Sequence, residues 1–334
     1  MKLKPMLMKS LIGLATVAFL GLWAPGQLRA ADEIKLGLLS TGGDHWPIWV
    51  ASDQGYFKEQ NLALREFHTN SIAKALQALS ANSTDILYPT NTQSAITAMI
   101  KQAPIKIVAG NYTKAIYDLI TGPKYKKVED LRGATFGVIN LTSGSTALLQ
   151  KIMAAHGLRY PGDYDLLTVG GTPQRYAAVK KGAVAGAMVT IPTSYQAKEE
   201  GLNVVANIAT YLPDYQFTTI AGNTNWMESH RDQTVRFLVA IIKAMRFLND
   251  PKNKEASIKS MLKHFKISEK YATLAYKEVV EDLKPIRNDA APVIKGIETV
   301  IKLEVERKAL EKAYPATNFI DDSYRQEALK RLGG

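Results

Sequence analysis

The sequence predicts an α/β chain of two related lobes, joined by two hinge crossings and followed by a helical C-terminal tail. Short apolar strands alternate with amphipathic helices, and the alternation repeats at an offset near 100 residues. After about Leu212 it gives way to long helical stretches. Such alternation implies parallel strands joined by right-handed crossovers.

Ahead of the first strand, Lys2, Lys4 and Lys9 precede an apolar run from Leu11 to about Trp23, and the small-residue site LRAADE follows. This is the pattern of a cleaved export signal over residues 1–30. The apolar run is short for a bilayer span, and Pro25, Gly26 and Arg29 end it. The first lobe then reads as strand 34–39, helix 47–59, strand 62–67, helix 72–81, strand 85–87, helix 93–101 and strand 105–109. In helix 72–81, Ile72, Ala75, Leu76 and Leu79 share one face, the apolar stripe that a sheet would cover.

A second series starts at ATFGVINLTSGSTALLQKIMAAHGL, which reads as strand, Ser/Gly loop and helix. The segment YDLLTVGGTPQRYAAVKKGAVAGAMVTIPT then matches LALREFHTNSIAKALQALSANSTDILYPT, so that Asn70-Ser71 corresponds to Gly171-Thr172 and both segments end in Pro-Thr. A strand-like piece at 217–221 precedes helices over 227–248 and from Ala256 onward. A tail this long should fold back on the first lobe. The expected division is therefore 32–115 with 214–334 for lobe one and 116–213 for lobe two, with crossings near 112–118 and 210–217. Paired crossings make a hinge.

The chain has 334 residues, a formal charge of +11 and no cysteine. Loss of the leader's four basic residues lowers the charge to +7, spread through mixed runs such as KYKKVEDLR, which argues against a nucleic-acid partner. The absence of cysteine excludes disulfides, thiolate metal sites, iron–sulfur clusters and a thiol nucleophile. Neither a cofactor nor a metal is expected, since the histidines lie on unrelated segments.

In open α/β sheets ligands gather where strands end and helices begin. Those positions hold Ser40, Thr41, Gly43, Asp44, His45 and Trp46, then Ser71, then Thr90 and Asn91, in lobe one. In lobe two they hold Thr142, Ser143 and Ser145, then Thr172 and Arg175, then Thr190. Hydroxyl and amide side chains can cap helices while leaving backbone N–H groups open to an acceptor. Trp46, beside glycines, is expected to stack on a planar ligand, and Trp49, one turn on, to face the core. Arg175 suits an anionic ligand or solvent equally well. Asp44 next to His45 raises a catalytic reading, but no Gly-x-Ser-x-Gly elbow accompanies the pair and GGTPQR lacks the Gly-Lys-Ser/Thr ending of a phosphate loop. Asp44 is read instead as an acceptor for a ligand amine or ring N–H.

The stretches IKLGLLSTGGDHWPIWVASDQGYFKEQNLALREF, VEDLRGATFGV and GGTPQRYAAVKKGAVAGAMV resemble the solute-binding proteins of ABC importers for nitrate, sulfonates, taurine and thiamine-pyrimidine precursors, over about residues 32–250. The resemblance implies a type II bilobal periplasmic-binding fold closing on a small organic solute, and the residues point to one that is planar or aromatic, pyrimidine-like, or an organic acid or sulfonate. It also implies a monomer that docks a membrane permease with its ATPase. Carried over, the family's contacts fall on Gly43, Asp44, His45 and Trp46, on Thr90 and Asn91, and on Thr142, Ser143 and Ser145. A sensor subunit, or a lyase or synthase on the same fold, remains as an alternative. The family's synthase relative uses a cysteine-rich motif that this chain lacks, which disfavours an enzyme. Asp44 departs from what a receptor for a simple anion would carry, because a carboxylate repels an anion.

Overall fold

A computed structural model describes residues 30–39, 42–141 and 143–333. Of the predicted leader only Ala30 is among them, and Ser40, Thr41 and Thr142 also lie outside the described residues. The strands are β1 (Asp32–Leu39), β2 (Leu62–Thr69), β3 (Ile86–Asn91), β4 (Ile105–Tyr112), β5 (Tyr117–Thr121), β6 (Thr135–Val138), β7 (Asp165–Thr168), β8 (Gly186–Thr190), β9 (Asn203–Asn207) and β10 (Thr218–Asn223). They build two five-stranded sheets, ordered β2-β1-β3-β10-β4 and β7-β6-β8-β5-β9. The architecture is the two-lobed α/β fold that the sequence predicts.

The internal repeat is visible in the register. Gly37 pairs with Phe67 on one side and Leu87 on the other, while Gly137 pairs with Leu167 and Ala187. Pairing is not wholly parallel, as expected from alternation alone: β10 runs against β3 and β4, and β5 against β8 and β9. The reason is topological. Each of these two strands enters its sheet directly from the other lobe, so it starts at the cleft where its neighbours end.

The predicted helix 47–59 is two helices, Trp46–Asp53 and Tyr56–Glu59, because Gly55 between them adopts φ 74°, a left-handed conformation that glycine accepts without strain. The predicted helix 227–248 likewise begins as a short helix, Thr224–Ser229, before Arg231–Asn249. Tail helices cover lobe one: Arg231–Asn249 lies against Trp46–Asp53, and Ile294–Glu306 against Thr92–Ile100. Phe237 stacks on Phe57 at 5.5 Å between centroids.

The tail also reaches lobe two, which the sequence reading did not anticipate. Tyr195 donates to Glu278, Lys270 pairs with Glu199 at 3.0 Å, and Asn207 Nδ2 lies 3.4 Å from Glu278 Oε1 and 2.8 Å from Asp118 Oδ1. Near the other end of the tail, Arg307 is held by buried Glu304 at 2.9 Å and donates to the Leu141 carbonyl at 3.3 Å.

Candidate ligand-binding cleft

The strand ends that face each other across the two sheets enclose one cavity of about 110 Å³. From lobe one it is lined by Asp44, His45, Asn70 and Asn91, and from lobe two by Ser143, Ser145, Thr172, Arg175 and Thr190. Two of these residues are helix caps. Asn91 Oδ1 accepts the Ser94 N–H at 3.1 Å to start helix Thr92–Ile100, and Ser143 Oγ accepts the Thr146 N–H at 3.3 Å to start helix Gly144–Ala155. The caps turn helix N-termini, with their partial positive charge, toward the cleft.

Arg175, in the first turn of helix Thr172–Lys180, is only 2 % exposed. Its Nη1 donates to Ser145 Oγ at 3.1 Å and its Nη2 to Thr172 Oγ1 at 3.2 Å. The guanidinium carbon lies 5.8 Å from the Tyr117 ring centroid, and buried Nε has no partner among the described residues. Of the two sequence readings, ligand or solvent, burial excludes solvent. Asp44 is 8 % exposed, and its Oδ1 lies 3.5 Å from His45 Nδ1. That nitrogen accepts the Gly42 N–H at 3.3 Å, so the ring proton belongs on Nε2, which is buried without a partner among the described residues. The Asp44–His45 approach in that tautomer is a packing contact rather than an ion pair.

The backbone under Asp44 is fixed by groups that are themselves buried. Asn111 Nδ2 donates to the Asp44 carbonyl at 2.9 Å and to Thr218 Oγ1 at 3.0 Å, while its Oδ1 accepts from Tyr88 at 2.8 Å. Tyr112 donates to the Gly43 carbonyl at 3.0 Å. Burial, reinforced by the Asp44 carboxylate, pushes the Tyr112 phenol well above its ordinary range, so it stays a donor. Burial likewise raises Tyr117, with Arg175 opposing and Asp44 adding to the shift.

Several predicted site residues lie elsewhere. Trp46 is fully buried, donates to the Ser257 carbonyl at 2.9 Å and meets Tyr276 edge-on at 6.0 Å, so it is core and not a stacking surface for ligand. Trp49, assigned to the core, does pack against it, half-buried between His45 at 5.8 Å and His264 at 5.4 Å. Thr90 is fully buried and donates back to the Leu87 carbonyl at 2.8 Å. Ser71 caps helix Ile72–Ser80 through the Lys74 N–H at 3.3 Å, and its neighbours Asn70 and Ile72 line the cavity instead. Gly43 contributes backbone geometry only.

A Cβ at Gly43 would stand 2.5 Å from the Ile191 carbonyl oxygen, an atom of the other lobe's backbone. Gly43→Ala is therefore expected to wedge the cleft and weaken solute binding by about tenfold or more, the scale of an overpacked contact. Calorimetric titration with any solute recovered from the purified protein checks this, and equal affinity in the variant would show that the cleft tolerates the added methyl group.

Sequence reading missed Tyr117, Phe217 and Thr218, all on the cavity wall. Tyr117 and Phe217 meet edge-on at 5.3 Å where the two crossings pass each other. The available signal was the pair of crossings itself: a chain that enters a sheet at the cleft must lay its first residues along the cleft floor. The lining thus offers hydroxyls, amides, two aromatic rings, one cation and one carboxylate, which is equipment for recognition. Among the described residues, no three His, Cys, Asp or Glu side chains gather as a metal site.

A search of curated proteins found no match. Among solved structures, the chain is similar to the ligand-binding component of an ABC-type import system from Staphylococcus aureus, solved with zinc bound (TM-score 0.74, 17 % identity, covering 89 % of this chain and 99 % of that one). It is also similar to the periplasmic nitrate-binding protein NrtA from Synechocystis PCC 6803 (0.74, 14 %, 90 % and 89 %). A third is the periplasmic aliphatic sulphonate-binding protein SsuA from Escherichia coli (0.65, 18 %, 88 % and 99 %). At these identities the likeness establishes the fold, the type II bilobal periplasmic-binding architecture. The model of the family described as NMT1/THI5 like matches residues 43–254, well over half the sequence, and the chain belongs to that family.

Proposed function

We propose that the protein is the extracytoplasmic receptor of an ABC importer, exported by its leader to the periplasm. It captures one small organic solute in the cleft and presents it, closed in, to a membrane permease with its ATPase. The observation that carries this reading is the cavity itself, walled by polar groups from both lobes, with Arg175 held ready by Ser145 and Thr172. A site walled from both lobes loads and releases as the lobes part, and the two crossings supply the hinge for that motion. The similar structures named for import, nitrate binding and sulphonate binding support the same role.

The reading is of a binder and not a catalyst. Asp44 and His45 share a wall, but of the hydroxyls that line the other lobe Ser145 and Thr172 are engaged with Arg175, Ser143 caps a helix, and none of these is a nucleophile oriented by a base. Purified protein, analysed by native and denaturing mass spectrometry, is expected to carry a stoichiometric small molecule that is released unchanged. Recovery of a chemically converted compound, abolished by Asp44 or His45 substitution, would move the protein to the enzymes. Genes for a permease and an ATPase beside this one would separate an importer receptor from a sensor subunit.

A further inference from the structure

Asp44 and Arg175 are opposite charges that line the same cavity from different lobes, and among the described residues neither is paired with a Lys, Arg, Asp or Glu side chain. Among the described residues no carboxylate lies within 4.0 Å of the Arg175 guanidinium, whose bonds go to two hydroxyls. For Asp44 the only basic group within that distance among the described residues is the His45 ring, which meets it with the nitrogen that accepts from Gly42. Buried charges without partners are costly, and a bound molecule that supplies both partners removes both costs at once. A plain anion would satisfy Arg175 and leave the Asp44 carboxylate repelling it. A plain amine would do the reverse.

We infer that the cleft selects a small ampholyte, with an acid group (carboxylate, sulfonate or phosphonate) held by Arg175, Ser145 and Thr172 and a cationic or N–H-bearing nitrogen held by Asp44. The inference rests on the receptor reading and narrows it to one ligand class. His45 Nε2 and Thr190 Oγ1, both buried at the cavity wall and without a partner among the described residues, are left for further polar atoms of the ligand. Tyr117 and Phe217 cover its apolar middle. The cavity of about 110 Å³ limits the ligand to a compact molecule.

The test is titration calorimetry with matched sets in which only one end changes. One set is 4-aminobutanoate, butanoate and butylamine, and another is 3-(aminomethyl)benzoate, 3-methylbenzoate and 3-methylbenzylamine. In at least one set the ampholyte should bind, and each one-ended analogue should bind about 30-fold or more weakly, the scale of leaving a buried charge unpaired. Asp44→Asn should remove the preference for the ampholyte over the acid, and Arg175→Met its preference over the amine. If the acid alone binds as tightly as its ampholyte to the unaltered protein, the ampholyte reading is overturned while the receptor reading stands. The same holds if the solute that co-purifies proves to be a simple anion. If no member of either set binds and the protein carries no solute, both readings fall. The comparison on unaltered protein decides the matter even where a variant does not fold.

Discussion

Trp46→Ala is expected to lower the unfolding free energy by about 3–5 kcal/mol, the cost of emptying a large buried aromatic site. The ring is fully buried, and its loss would also strand the Ser257 carbonyl that now accepts the indole N–H at 2.9 Å. Since folded proteins are stable by about 5–15 kcal/mol in total, the variant should stand near the edge of folding. Urea denaturation of the ligand-free protein measures this. A loss under about 1 kcal/mol, with solute affinity sharply reduced, would return Trp46 to the ligand-contact role that its loop position first suggested.

The second large effect concerns pH and the contact between the tail and lobe two. Burial raises Asp118 to about 6, with the Glu278 carboxylate adding to the shift and the Asn207 hydrogen bond opposing it. A carboxyl with a raised folded-state value favours the folded chain while it holds its proton. Between its ordinary 3.8 and about 6, the folded protein keeps a proton that the unfolded chain has released. Stability from this group is therefore fully present below about pH 4 and is lost as pH rises through 6, a decline of about 3 kcal/mol from a shift of this size.

Carboxylates with lowered values, such as Asp53, Asp232 and Glu327, act in the opposite sense, and their effects lie at or below the ordinary carboxylate range. The difference between the parent and Asp118→Asn across pH 4.5 to 6.5 thus isolates one group. Urea midpoints that fall with pH in the parent and stay level in the variant are the expected outcome; parallel curves would exclude Asp118 as the titrating site.

The sequence was most informative where structure depends on neighbours in the chain. Strand and helix alternation, the repeat at an offset near 100 residues, and the capping positions Asn91 and Ser143 are patterns along the chain, and all were legible. Trp46 was misread because what decides its role is far away along the chain. The short 3-10 turn Gly43–His45 leaves Asp44 and His45 at the cavity and carries the next residue back onto Ser257 and Tyr276, both in the tail. No local pattern shows which partner a tryptophan meets more than 200 residues on. Arg175 was undecided for the same reason, since its hydroxyl partner Ser145 and the Tyr117 ring arrive from other elements. The lone reversed strand in each sheet follows from entry across the hinge, which alternation of element types does not encode.

That strand order has a consequence for how the chain can assemble. In sheet one, β4 touches the rest of the sheet only through β10, so a strand made at Ile105–Tyr112 has no neighbour until Thr218–Asn223 has been synthesised. The second sheet poses a shorter wait, because β5 and all its sheet partners lie within Tyr117–Asn207. Lobe two is thus a contiguous insert that can complete its own pairing first, whereas lobe one closes around a pairing of high sequence separation, the kind of contact that slows folding. The two crossings that join the finished lobes also divide the folding of the chain into an early unit and a late one.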